Sequence, residues 1–175
     1  MVIAVFDCYH FFIEKEFYMK KFLLFVLCII ISFAPGLIGI MFTPMGHSDI
    51  WFDGLNQSAL TPAPWVFATV WTILYFLLGV ALFLIVQNDR TRYSKVKPYL
   101  LFATQMALNA LWSYLFFGLH MVGAAMIVIV LLLIISIWMM RAFNPISRGA
   151  SVLVWFYIIW LLLATYLNGM ILYLN

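Results

Sequence analysis

Charge is what this sequence has least of. Only 9% of its 175 residues are charged, while 67% are hydrophobic. A soluble domain has about a quarter of its residues charged, so this chain lacks the polar surface that water demands, and a bilayer is the solvent that fits it. Acidic residues number six, and none lies inside a long apolar run. That leaves no carrier for a proton or cation relay through the membrane. Cysteine is scarce too: Cys8 and Cys28 are spaced neither as metal ligands nor as a disulfide framework. No phosphate-cradling glycine loop, HExxH, GxSxG or CxxC is present, nor any internal repeat or low-complexity tract.

The net charge of +3 and pI of 8.9 do not point to nucleic acid. The basic residues sit between apolar runs instead of forming one patch.

What the sequence does have is five long uncharged runs, at about 22–42, 64–87, 98–117, 122–143 and 150–174, with Arg141 at the end of the fourth. Each reaches about 20 residues, enough at about 1.5 Å per residue to cross a ~30 Å hydrocarbon core. They are too long for barrel strands and do not alternate, and helices satisfy their own backbone groups in lipid. The predicted fold is all-α: a single integral membrane bundle of five transmembrane helices, residues 19–175.

The first run follows Met19-Lys20-Lys21 and so resembles the start of a signal peptide. It continues through Pro35 and Gly36 to Phe42, and no A-x-A site closes it, so it reads as a membrane helix kinked near Pro35. Residues 1–18, mixed aromatic and charged, read as an extension: either a start-site artefact or a short interfacial segment.

All nine Lys and Arg residues fall in alternate connections. Lys15, Lys20 and Lys21 precede the first helix; Arg90, Arg92, Lys95 and Lys97 separate the second and third; Arg141 and Arg148 separate the fourth and fifth. The connections 43–63 and 118–121 have none. By the positive-inside rule the N-terminus is cytoplasmic and the C-terminus outside. The 43–63 loop is the only long connection and is a place for function; Pro64 opens the helix after it.

Within the spans, polar and aromatic residues fall on helical stripes. These are Gln105, Asn109, Ser113 and Phe116 beside Trp112; Trp71, Tyr75 and Gly79; and Trp160, Ala164 and Asn168, with Tyr157 one turn before. Amides are costly in lipid, so Gln105, Asn109 and Asn168 should face the interior, either bonding helix to helix or anchoring a ligand. Aromatics with a few polar anchors suit a flat apolar ligand, and Trp51 in the outer loop could cover such a pocket. Trp65 and Trp155 read as interfacial belt residues, and Trp138 as a packing residue. His47 and His120, in outer connections, read as solvated; axial ligation of a haem iron has nothing to support it. Ala103 and Ala107 suit a close helix contact, hence a homodimer through the third helix.

These residues carry a family resemblance. Ala63-Pro64-Trp65-Val66-Phe67 through Val70-Trp71-Thr72-Ile73-Leu74-Tyr75 with Gly79 resembles the second helix of the tryptophan-rich sensory protein family, the bacterial branch of the translocator protein (peripheral benzodiazepine receptor) family. Gln105 to Asn109, Trp112-Ser113 and Phe116-Phe117-Gly118 resemble its third helix; Trp160-Leu161 and Ala164 to Asn168 resemble its fifth. The resemblance runs from about residue 33 to the C-terminus.

It implies a five-helix membrane bundle, commonly dimeric, in the bacterial cell membrane. Its pocket would open toward the first loop and take porphyrins such as protoporphyrin IX or haem. No cofactor or metal is implied. Carried over by motif, the ligand-binding residues would be Trp51, Trp71, Tyr75, Asn109, Trp112, Ser113, Phe116, Trp160, Ala164 and Asn168. Trp51 and Trp160 match tryptophans linked in some bacterial members to light-driven porphyrin breakdown. The sterol pattern is incomplete, since no basic residue follows Tyr173. The leading expectation is a receptor or sensor that holds a tetrapyrrole. The alternatives are a light- and oxygen-dependent porphyrin-degrading enzyme and a translocator of porphyrin, lipid or sterol.

Overall fold

A computed structural model describes residues 2–42, 50–89 and 91–175, with side chains from Glu14, Trp51 and Thr91 onward in the three stretches. His47 and Arg90 lie outside the described residues. The elements are α1 (Val2–Ile40), a single turn α2 (Ile50–Asp53), α3 (Pro64–Val86), α4 (Val96–Ser113) continuing into a π-helical turn (Tyr114–Gly118), α5 (Val122–Phe143) and α6 (Arg148–Leu174). Five of them are long and apolar enough to cross a membrane: Glu14–Ile40, Pro64–Val86, Val96–Gly118, Val122–Phe143 and Arg148–Leu174. No strand occurs among the described residues.

Four of the five predicted spans match to within a few residues. The first differs. α1 is one helix from Val2, with no break at Met19. An ion pair between Glu16 and Lys20 at 2.7 Å, one turn apart, and Lys21 lying 4.3 Å over the Phe17 ring tie the extension to the span. The helix also passes through Pro35, which has no N–H to offer the carbonyl one turn back.

The helices pack as a closed ring. α1 lies between α3 and α4; α3 also packs on α6, α6 on α5, and α5 on α4. Polarity is inverted relative to a water-soluble bundle. Leu100, Ile127, Trp155 and Leu162 face outward, while the buried polar side chains are Ser32, Gln105, Asn109, Ser136 and Asn168. Ser32 and Ser136 satisfy their hydroxyls on backbone carbonyls of their own helices. The three amides have no such local outlet, and this is what gives the ring a polar centre. Trp65 is exposed as a belt residue would be, but so is Trp138. Trp138 therefore lies on the outer surface and is not a core packing residue.

Candidate functional site

The centre of the ring is a hydrogen-bonded triad. The Tyr75 hydroxyl (α3) donates to Asn109 Oδ1 (α4) at 2.6 Å, and Asn109 Nδ2 donates to the Tyr157 hydroxyl (α6) at 2.7 Å. Asn109 thus ties together the two helices across the ring from it. One turn further along α4, Trp112 Nε1 donates to Asn168 Oδ1 at 3.0 Å, and Asn168 Nδ2 donates to the Val122 carbonyl at 3.1 Å, which fixes α6 to the start of α5. Two of the three predicted amide anchors, Asn109 and Asn168, are therefore also helix ties.

Aromatic rings surround these ties in two groups. Trp71 stacks on Tyr75 with centroids 5.6 Å apart and meets Tyr157 and Trp160 edge-on; Phe67 meets Trp160 at 5.7 Å. The second group lies toward the outer loop. Trp112 stacks on Phe116 at 5.2 Å, and Phe52 and Phe117 pack around them. Trp112 joins the two groups, touching the main core on one side and this cluster on the other. The π turn positions the second group: its Leu119 N–H reaches back five residues to the Tyr114 carbonyl. A turn of that width carries an extra residue, and such turns recur at functional sites.

Trp51 meets Phe116 edge-on at 5.6 Å and stacks nearly parallel on His120, with centroids 4.0 Å apart and 13° between planes. His120 is not the free loop residue expected from the sequence. It carries the single positive φ of a non-glycine residue among the described ones, 55°, a conformation that needs surrounding contacts to hold it.

Of the ten predicted ligand-binding residues, nine belong to these groups or line them. Ala164 is buried in the main core. Ser113 lies apart, at the seam of α4 and α1, where Gly39 leaves room for its hydroxyl. Tyr157, Gln105 and His120 were not among the ten. The stripe that holds Trp160, Ala164 and Asn168 passes through Tyr157, so the helical period did contain that signal. Gln105 is fully buried, and neither amide atom has a hydrogen-bond partner among the described residues; the same holds for Trp160 Nε1. Trp160 also walls an apolar groove of about 300 Å³ between α3 and α6, with Val70, Leu74 and Leu163. No cluster of metal-ligating side chains occurs among the described residues.

The outer loop is fastened to the end of α6. Asn56 N–H donates to Asn175 Oδ1 at 2.9 Å, Asn175 Nδ2 donates back to the Asn56 carbonyl at 3.2 Å, and Ser58 pairs with the Tyr166 hydroxyl at 3.2 Å. Asn175→Ala removes the reciprocal pair, which is exposed, so about 0.5–1 kcal/mol of loop anchoring is at stake. Amide hydrogen exchange at Asn56 is expected to speed up several-fold in the variant while the midpoint of global unfolding stays put.

The TspO/MBR family model matches residues 25–174. The chain belongs to the TspO/MBR family. It is 37% identical to the tryptophan-rich protein TspO of Chlorobaculum tepidum, across 89% of this chain and 98% of that one. It is 33% identical to the tryptophan-rich sensory protein of Cereibacter sphaeroides, across 77% and 80%, and 31% identical to the bovine translocator protein, across 76% and 79%. The TspO/MBR match and the five apolar helices make this an integral membrane protein with bacterial relatives, and membership supports a membrane sensory or translocator role.

Proposed function

We propose that this TspO/MBR protein binds a porphyrin within the bundle, between the outer loop and the Tyr75–Asn109–Tyr157 triad. The observation that carries the reading is the linked aromatic assembly around that triad. Trp51, Phe116, Trp112, Trp71 and Trp160 offer ring faces and edges to a flat macrocycle, and each aromatic contact is worth about 0.5–1.5 kcal/mol beyond area burial. The ligand would exchange ring–ring contacts within the protein for ring–ligand contacts. The unpaired Gln105 amide and Trp160 indole N–H offer hydrogen bonds that cost nothing to release. The cytoplasmic N-terminus and a homodimer through the outward face of α4, where Ala103 and Ala107 are exposed, form part of the same proposal.

Titrating purified protein with protoporphyrin IX and following tryptophan fluorescence tests it. Saturable quenching is expected, and a Trp51→Phe, Trp160→Phe double variant should bind about tenfold more weakly, given two weakened aromatic contacts. Non-saturable quenching, or equal affinity in the double variant, would remove the pocket from this location. Illuminating the same complex separates holding from breakdown: loss of the porphyrin spectrum in the wild type but not in the double variant would favour the degrading enzyme.

A further inference from the structure

The end of the bundle opposite the outer loop holds a second cavity, of about 410 Å³. Asn88, Thr91, Arg92 and Tyr93, from the α3–α4 connection, line one side; Pro145 and Ile146, from the α5–α6 connection, line the other. We propose that this cavity seats the headgroup of an acidic phospholipid. The phosphate would lie on the Arg92 guanidinium, and headgroup hydroxyls would reach Asn88 and Thr91.

Depth is the first argument. α3 ends at Val86, α4 begins at Val96, α5 ends at Phe143 and α6 begins at Arg148. The lining residues lie just past these ends, where the hydrocarbon core gives way to headgroups. A site at that level meets lipid phosphates at all times.

Charge is the second. Of the described residues in the two connections and the adjoining helix ends, Arg92, Lys95, Lys97, Arg141 and Arg148 are cationic and Asp89 alone is acidic. Asp89 faces Lys95, at 3.7 Å. Lys95 is also committed to the Val86 carbonyl, at 2.8 Å, where it closes the C-terminus of α3. Arg92 is exposed and has no carboxylate partner among the described residues. A guanidinium fork matches a phosphate with two parallel hydrogen bonds. α4 and α6 also begin at this end, and α4 has no side-chain cap, so the positive end of its dipole faces the same layer.

Construction is the third. Asn88 Nδ2 donates to the Ile146 carbonyl at 2.6 Å and so pins the two connections to each other. That single bond leaves Asn88 Oδ1 able to accept from a hydroxyl. The site therefore suits a headgroup that carries hydroxyls, such as glycerol. Tyr93 in the connection and Val96 and Leu100 in the first turns of α4, all exposed, give the acyl chains an apolar track below the headgroup.

The test is retention of lipid by the protein in nanodiscs of mixed phosphatidylcholine and phosphatidylglycerol, read by native mass spectrometry. Wild type is expected to keep phosphatidylglycerol in preference to phosphatidylcholine. Arg92→Gln should reduce that preference about tenfold, as loss of a charge-assisted pair implies. Arg92→Lys, a point charge without the fork, should fall between, and Arg141→Gln, outside the lining, should leave it unchanged. Equal retention by Arg92→Gln would overturn the site. Equal loss in Arg141→Gln would replace it with diffuse surface charge. Inorganic phosphate stabilising wild type in detergent as strongly as phosphatidylglycerol does would assign the site to free anions instead of lipid.

Discussion

Asn109→Leu is expected to lower stability by about 2–3 kcal/mol, read as the shift in unfolding midpoint in mixed micelles by tryptophan emission. Leucine keeps asparagine's branched outline but can neither donate nor accept, and its bulkier methyl groups cannot sit at hydrogen-bond distance from the phenols. Two buried phenols, Tyr75 and Tyr157, lose their shared partner at once. A buried group left unpaired costs about 1–3 kcal/mol. Interhelical bonds in membranes average only about 0.6 kcal/mol, because separated helices also find partners. The triad should exceed that average, since one amide serves two hydroxyls from helices on the far side of the ring. Tyr75→Phe removes one bond and leaves one acceptor empty, so about 1 kcal/mol is expected. Equal stability for Asn109→Leu and wild type would mean that the triad orders the pocket without stabilising the bundle. A porphyrin titration of the same variant then separates the two roles. An intact fold with lost binding would assign Asn109 to the ligand.

Much of this architecture is legible in the sequence, because the bilayer imposes a strong rule: a long uncharged run must be a helix, and its few amides must turn inward. Gln105, Asn109 and Asn168 do so. Other features depend on distance in space, which helical periodicity does not encode. Tyr157 lies on a predicted stripe, yet only the packing of α6 across from α4 turns it into Asn109's partner. His120 looks like any loop histidine until α2 brings the Trp51 ring over it. The π turn has no pattern of its own in Tyr114–Gly118, so the double inward aim of Phe116 and Phe117 could not be read. Trp138 misled because a tryptophan deep in an apolar run is equally at home against lipid and against protein. The extent of α1 was also hidden: charges at Glu14, Glu16, Lys20 and Lys21 suggest a boundary, but at one-turn spacing they extend the helix instead.

Gly79→Leu is expected to release α1 from the bundle. α1 and α3 run antiparallel, with Phe25 against Phe76 and Phe83, Phe33 against Tyr75, and Gly79 at the closest approach. A Cβ at Gly79 would lie 2.7 Å from Ser32 Oγ and Ile29 Cδ1 and 2.9 Å from the Ile29 Cα. Side-chain tips can swing away, but a backbone atom yields only if the whole helix shifts. Overpacking of this kind costs about 1–3 kcal/mol. Leucine should reach the top of that range and alanine the bottom. The strain falls on α1, which packs chiefly on α3 and α4 and buries the least of the five spans. Cys28 supplies a local readout, because it lies on α1 next to Ile29 in the sequence and is 2% exposed while the helix is docked. In a Cys8→Ser background, a membrane-permeant thiol reagent should modify Cys28 at least tenfold faster in Gly79→Leu than in wild type, as a 1.4 kcal/mol or larger loss of seam stability implies. Gly123→Ala is the control: its added methyl meets nothing closer than 3.9 Å, and the rate should not change. Loosening α1 also withdraws Gly36, which sits against the Tyr75 ring. Porphyrin affinity should therefore fall together with Cys28 protection. Slow labelling in Gly79→Leu with undiminished stability would show that the seam can widen without parting, and the close approach at Gly79 would then be a matter of fit alone.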